Sequence, residues 1–267
     1  INWPGQILTL SLMKLEGFLG GKKRTGICLD VVVPSYRPNN REILDRIVSL
    51  RSSIRMNVRF WIVVDNPDPR HLEEVNRLAM DTSMRGRRND GNYFVSVVNY
   101  GENRGASYAR NVGFNYSTAD WVLFLDDDVV PDDFILDAYA GAIRRYPEAA
   151  VFVGQTSLPP PSSLWTDILQ ASNVMYFYGV ARHRVHPPWG VTANLLVRGS
   201  RLNHTIQFKA LYPKTGGGED IDFVFQMKQW YGKEKSPMRT VVGVPGAKAV
   251  HPWWRGGKMC YKQIRGW

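Results

Sequence analysis

The stretch Trp121-Val-Leu-Phe-Leu-Asp-Asp-Asp-Val-Val-Pro131 decides how the chain is read. Its five leading apolar residues, β-branched and aromatic in character, predict a buried strand, and Pro131 followed by Asp132-Asp133 predicts a turn into a helix. Three adjacent carboxylates, Asp126, Asp127 and Asp128, repel one another, so a cation is expected on them. Carboxylates at the C-terminal end of a buried strand in an α/β protein stand where ligands bind. A hard divalent ion shared between one or two carboxylates and a substrate's phosphates suits such an edge. The alternative is a solvated acidic turn that caps the next helix.

Working outward, strand-like runs at Ile27–Val33, Phe60–Asp65 and Tyr93–Val98 alternate with helix-like stretches around Arg41–Ser53, His71–Met84 and Ala106–Tyr116, and another helix is expected at Phe134–Tyr146. This alternation predicts βαβ units, hence an α/β fold with a mostly parallel sheet flanked by helices. No Gly-x-Gly-x-x-Gly follows any strand. After Val151–Gly154 the texture changes: Pro159-Pro-Pro161 breaks the chain, and aromatics, His and Arg crowd residues 165–190. Thr192–Val197 reads as one more strand. Gly216-Gly-Gly218 then opens a helix that runs from Glu219 to about Tyr231. The expected organisation is a peripheral segment 1–26, one catalytic domain 27–255 with a donor half (27–154) and an acceptor half (155–255), and a tail 256–267.

The 267 residues carry 34 Lys and Arg against 24 Asp and Glu, a formal charge of +10, which favours phosphate, nucleic acid or an anionic membrane as partner without choosing among them. Two cysteines, Cys28 and Cys260, exclude a disulfide framework and a CxxC metal knuckle. No apolar run reaches the roughly 18 residues of a membrane span. The lack of an initiating Met and the end at Trp267 suggest a piece of a longer protein. Its compartment is then either cytoplasmic and membrane-associated or, with an anchor elsewhere, the secretory pathway.

Several segments carry chemistry. Pro34-Ser-Tyr36-Arg37 ends the first strand and offers an aromatic face and a cation to a nucleotide, or is an ordinary loop. Asp65 ends the second strand, where it could accept a base N–H or cap a turn. Arg104 and Arg110 would supply positive charge near the expected diphosphate, or Arg110 is a surface residue. Glu219 and Asp220 fall at a helix N-terminus, whose dipole favours an ionised carboxylate able to act as a general base, or they are the capping acidic pair of a flexible loop. His251 could complete the coordination of a metal or pack among Trp253 and Trp254. Trp189 and the Trp253-Trp254 pair could stack on acceptor sugars or belong to the core.

Taken in order, Val33-Pro-Ser-Tyr-Arg37, Val64-Asp65, Asn103-Arg-Gly105 with Ala109-Arg-Asn111, Phe124-Leu-Asp-Asp-Asp128, Gly190 to Asn194 and Gly217-Gly-Glu-Asp220 resemble the family 2 glycosyltransferases, over roughly residues 27–255. The resemblance implies the GT-A fold, a Rossmann-like nucleotide-diphospho-sugar transferase fold with a central mixed, mostly parallel sheet. It implies Asp128 as main metal ligand within the Asp-x-Asp motif, Asp126 or Asp127 near the donor, and Asp220 as base. It also implies Asp65 on the nucleobase, Pro34 and Tyr36 lining that pocket, Arg104 near it and His251 on the metal. Glu219 and Trp189 are expected on the acceptor side. The expected activity is an inverting, non-processive transfer from a nucleotide sugar, UDP-linked by preference, to a glycan, lipid-linked or other hydroxyl acceptor, with Mn²⁺ or Mg²⁺ and with peripheral membrane contact. Asp65 departs from the family pattern in being followed by Asn66-Pro67, and Gln263-Ile-Arg-Gly-Trp267 misses the spacing of processive synthases.

Two rivals explain part of the chain. Asp126-Asp-Asp128-Val also fits an aspartate-nucleophile phosphatase of the haloacid dehalogenase type, but that nucleophile ends the first core strand, and three strands precede this one. A basic nucleic-acid or membrane-surface module would use the +10 charge, yet the acidic triplet repels a polyanion, so no nucleic acid is expected.

Overall fold

The computed structural model of the chain describes residues 6–8, 26–38, 40–84, 91–199, 205–212, 217–232 and 240–253. Gly216, Trp254 and the 256–267 tail lie outside them. Among the described residues the strands form one nine-stranded sheet. Its first half is parallel: β2 (Ile27–Ser35), β3 (Met56–Val64), β4 (Gly91–Asn99) and β5 (Trp121–Leu125) lie side by side in the order β4-β3-β2-β5, with β1 (Gln6–Leu8) antiparallel on the β4 edge. Beyond β5, β8 (Asn194–Arg198) runs antiparallel to β5 and to β7 (Val151–Ser157). There β9 (Val241–Val250) is parallel to β7, and the two-residue β6 (Val130–Pro131) pairs antiparallel with it.

The helices are α1 (Arg41–Val48), α2 (Pro69–Met84), α3 (Ala106–Tyr116), α4 (Ile135–Arg145), α5 (Leu164–Ala171), α6 (Val180–His183) and α7 (Glu219–Tyr231). α1 buries Leu44, Ile47 and Val48, the i, i+3, i+4 stripe of a helix lying on a sheet. On the other face α3 approaches the sheet so closely that a methyl group at Gly113 would collide with the Val32 side chain. β2 and β5 are covered by apolar neighbours on both faces, which is why both read as continuous apolar runs.

The expected mixed, mostly parallel sheet is present, with local differences. α1 stops at Val48 rather than Ser53, because the chain turns at Ser49 and pins Ser52 and Ser53 to Asp137 of α4. β3 begins at Met56, four residues before the expected start, with buried Met56 and Val58 alternating with half-buried Asn57 and Arg59. β9 escaped the sequence reading, since Gly243, Pro245 and Gly246 interrupt its apolar pattern. A register shift at Gly154/Gln155 absorbs that irregularity.

This topology positions the site. The chain leaves β2 toward β3 and β4 and returns to β5 on the opposite side of β2, so the strand order switches between β2 and β5. The crevice at the C-terminal ends of two such strands is where ligands bind in open α/β sheets. The β2 end carries Tyr36 and Arg37, and the β5 end carries Asp126 to Asp128.

Candidate active site

Each member of the acidic triplet has a different environment. Asp127 is buried, and its carboxylate accepts the main-chain N–H groups of Tyr36 (2.9 Å) and Arg37 (3.0 Å) as well as the Arg37 guanidinium. Its own carbonyl accepts Asn40 Nδ2 at 2.7 Å. Asp127 therefore ties the β2 loop to the β5 loop. Asp126 accepts Arg110 Nη2 at 2.6 Å. Burial pushes its carboxyl up, but the Arg110 charge and hydrogen bond, with His251 and Arg37 behind them, outweigh that and hold it below the usual range.

Asp128 faces the opening differently. Its Oδ2 lies 3.0 Å from Arg37 Nη2, while Oδ1 is buried without a hydrogen-bond partner and stands 3.8 Å from His251 Nε2. Burial raises its carboxyl, and Asp126 and Asp127 add to that against His251 and Arg37. His251 arrives there because β9 pairs with β6 through Val130↔Val250, and continuing that antiparallel register sets His251 opposite Val129, one residue from Asp128. The ring is fixed by Nδ1 against the Pro252 carbonyl at 2.7 Å, which leaves Nε2 directed at Asp128. Tyr178 packs on the same ring with centroids 5.1 Å apart. Burial first, then Asp126, Asp128 and Asp220, push the Tyr178 hydroxyl far up, so it stays a neutral donor among the carboxylates.

The second half of the site comes from α7. Gly218 precedes it with φ of +91°, a left-handed turn that a glycine adopts without strain and that sets Glu219 and Asp220 in the first helical turn. Asp220 is gripped by Thr192, whose hydroxyl donates at 2.9 Å and whose N–H donates at 3.2 Å. Burial, aided by Glu219 and Asp126, raises the Asp220 carboxyl to about 6 against the lowering pull of Arg110 and Thr192. Arg110 links the halves: it is buried on α3, bonded to Asp126 and 3.8 Å from a Glu219 oxygen.

Other expected site residues are placed as follows. Asp65 is buried, and its carboxylate accepts the Tyr100 hydroxyl and the N–H groups of Arg104 (2.7 Å) and Gly105 (2.9 Å), so it holds the loop that opens α3. The Arg104 side chain is turned outward over the Tyr108 ring, 4.7 Å from its centroid, and pairs with Glu102. Pro34 is buried in β2, whereas the Tyr36 side chain is exposed at the crevice mouth. Trp189 stacks on Phe177 at 5.9 Å, and both line a cavity of about 90 Å³ to which none of Asp126, Asp127, Asp128 and Asp220 contributes. The sequence reading missed Tyr178 and Thr192 as site members. Thr192 lies within the Gly190–Asn194 motif, while nothing in the sequence marked Tyr178.

Among the described residues no three His, Cys, Asp or Glu side chains are assembled as a complete cage. Asp128 and His251 could supply two donors, an orphaned buried carboxylate oxygen and a ring nitrogen 3.8 Å from it. That suits a hard or borderline divalent ion that takes its other ligands from a diphosphate.

Against known proteins, the sequence profile described as Glycosyl transferase family 2 matches residues 30–209. An uncharacterized glycosyltransferase of Haemophilus influenzae is 32% identical over 100 residues, 38% of this chain and 29% of the relative. Among solved structures, the mannosyltransferase PcManGT of Pyrobaculum calidifontis, in complex with GDP-Man and Mn²⁺, superposes with a TM-score of 0.55 at 17% identity, covering 87% of this chain and 59% of that one. The first 349 residues of S. aureus TarS superpose with a TM-score of 0.53 at 16% identity, covering 84% and 60%. The chain thus spans less than two thirds of the length of these relatives, and the shared architecture is the GT-A fold. β5 is preceded by the three parallel strands β2 to β4, which is not the position of a phosphatase nucleophile. With the profile matched across more than half its length, the chain belongs to Glycosyl transferase family 2.

Proposed function

We propose that the chain transfers a sugar from a nucleotide-sugar donor, with UDP as the preferred nucleotide, to a hydroxyl acceptor in a single inverting, non-processive displacement. The observation that carries this reading is the convergence on Arg110 of Asp126 from the β5 end and the Glu219-Asp220 turn of α7, with Asp220 raised to about 6 yet ionised at neutral pH. A carboxylate with that pKa is a competent proton acceptor, since it is mostly deprotonated at the working pH and basic enough to take a hydroxyl proton in the transition state. Asp220 removes the proton from the acceptor hydroxyl as that oxygen bonds to the anomeric carbon. The bond from that carbon to the diphosphate breaks, and the nucleoside diphosphate leaves with the electron pair. Thr192 fixes the rotamer of Asp220, which keeps its orientation constant through the proton transfer.

On the donor side, Arg37 and Arg110 place positive charge beside the crevice, and Asp128 with His251 would hold Mn²⁺ or Mg²⁺. Such an ion supplies electrostatic stabilisation of the charge that develops on the leaving diphosphate. The complex of PcManGT with GDP-Man and Mn²⁺ supports this reading of the site. Tyr36 at the crevice mouth and the Asp65-tied loop carrying Arg104 form the nucleoside end, with Asp65 acting through the backbone it holds. Glu219 and Trp189 face the acceptor side. The test is Asp220→Asn. Turnover should fall by about 10²–10⁴-fold, the scale of a lost general base, with donor affinity nearly unchanged by calorimetry. Full transferase rate in this variant excludes Asp220 as the base.

A further inference from the structure

α5 is a helix turned inside out. A capping box closes its N-terminus: the Thr166 N–H donates to Ser163 Oγ at 3.3 Å, and the Ser163 N–H donates to Thr166 Oγ1 at 2.9 Å, so local sequence specifies the helical form. Its buried residue is Thr166, whereas Leu164, Trp165 and Ile168 are 72%, 51% and 47% exposed. At roughly 100° per residue these three side chains share an arc of about 100°, centred well away from Thr166. A helix on a soluble domain normally buries its apolar arc and offers the polar one to water. Here the order is reversed, and Val174 and Tyr176, a few residues past the end of the helix, are exposed as well.

The rim of this surface is basic. Every residue from Arg182 to His186 is exposed, and Arg184 lines one cavity together with Tyr176. Between Ser163 and His186, Asp167 is the single acidic residue. The Trp253 indole donates to the carbonyls of Pro159 and Pro160 at 3.1 and 3.2 Å. An apolar arc with Trp and Tyr, bordered by cations on a chain of net charge +10, matches the interfacial zone of an anionic bilayer, where aromatics sit at headgroup level and cations meet lipid phosphates.

We propose that α5 and the segment through His186 dock the protein on an anionic membrane surface. Three consecutive aromatics connect that surface to the site: Tyr176 belongs to it, Phe177 stacks on Trp189, and Tyr178 packs on His251. Docking through this face turns the acceptor side toward the bilayer, where a hydroxyl carried by a lipid comes within reach of Asp220. The docking itself does not depend on the reaction proposed above, and its test contains no substrate.

The experiment is co-sedimentation of the full chain with phosphatidylcholine vesicles, with and without phosphatidylglycerol. Binding is expected only to the mixed vesicles, to weaken as salt rises, and to fall about tenfold or more in Trp165→Ser/Ile168→Ser, with an unchanged circular dichroism spectrum. Arg182→Glu/Arg184→Glu, at exposed positions outside the catalytic cluster, should remove the preference for anionic lipid. Absence of binding to the mixed vesicles overturns the proposal, as does binding indifferent to both double variants. A concentration-dependent dimer in light scattering that the Trp165→Ser/Ile168→Ser change abolishes would also overturn it, by assigning the face to a second copy of the chain.

Discussion

Replacing Asp220 by Asn should slow turnover by about 10²–10⁴-fold and stabilise the protein at once, and the pH dependence of the second effect is specific to this site. Burial and the neighbouring Glu219 and Asp126 raise the Asp220 carboxyl from 3.8 to about 6 in the folded chain. Between those two values the unfolded chain has already released a proton that the folded chain still holds, so this group makes stability fall as pH rises. The contribution is intact below about pH 4, declines up to about pH 6 and is then fully lost. At about 1.4 kcal/mol per unit, the shift of about two units amounts to roughly 3 kcal/mol above pH 6. Asn carries no such penalty. It keeps both Thr192 contacts, because its Oδ1 can accept the Thr192 N–H while its amide donates to the Thr192 hydroxyl. Differential scanning fluorimetry from pH 4.5 to 8 should show a difference in Tm between variant and wild type that is small at the acidic end and grows to roughly 5 °C or more above pH 6.5. The wild-type kcat/KM should rise through the same pH range as Asp220 ionises. A Tm gain equal at both ends of the range, or no gain at pH 8, would refute the assignment of a destabilised carboxylate at this position.

The same geometry yields further expectations. Asp128→Ala removes the orphaned carboxylate oxygen beside His251, so titration calorimetry with a nucleoside diphosphate should lose its dependence on Mn²⁺, while metal-dependent binding of wild-type strength would reject Asp128 as a ligand. Arg110→Ala leaves Asp126 and Glu219 without their shared cation, and chemical denaturation should report a loss of about 3–5 kcal/mol, the scale of a broken buried ion pair. Gly113→Ala drives a methyl into Val32 behind the β2 strand; unfolding should occur about 1–3 kcal/mol sooner, with kcat little changed if α3 does not tilt. Asp65→Asn presents an amide where three donors converge. A loss of about 1–3 kcal/mol is expected, with a weaker nucleotide affinity because the loop carrying Arg104 is no longer held.

The first half of the fold was legible because its signals are local. β5 and α3 occupy the expected spans, Trp121–Leu125 and Ala106–Tyr116, since a buried apolar run and a small-residue helix start need no knowledge of partners. The helix beginning at Glu219 was legible for the same reason, with Gly218 as its stop and turn. β9 was not, because its strand character comes from pairing with β7 and β6 and overrides Gly243, Pro245 and Gly246 in its own sequence. α5 carried a readable Ser163–Thr166 cap, but the proline run before it and its outward-facing apolar residues masked the helical pattern.

The site shows the same limit at finer grain. Three adjacent aspartates look equivalent in sequence, and a shared cation was the natural expectation. The turn that follows β5, closed by the Val129 N–H on the Asp126 carbonyl at 3.2 Å, separates them by sending each side chain in a different direction. Asp127 turns toward β2, where two main-chain N–H groups and Arg37 satisfy it. Asp126 turns toward α3, where Arg110 holds it ionised. Asp128 alone turns toward β9 and keeps an oxygen unpaired next to an imidazole. Arginines therefore reach all three carboxylates from within, and the site proposed for an external ion narrows to the one oxygen that none of them meets, Asp128 Oδ1. That narrowing separates the residues experimentally. A substitution at Asp127 should act mainly on stability through the β2 loop, and one at Asp128 mainly on metal-dependent donor binding. If Asp127→Asn lost metal-dependent binding while keeping wild-type stability, the assignment of the ion to Asp128 and His251 would have to be reversed.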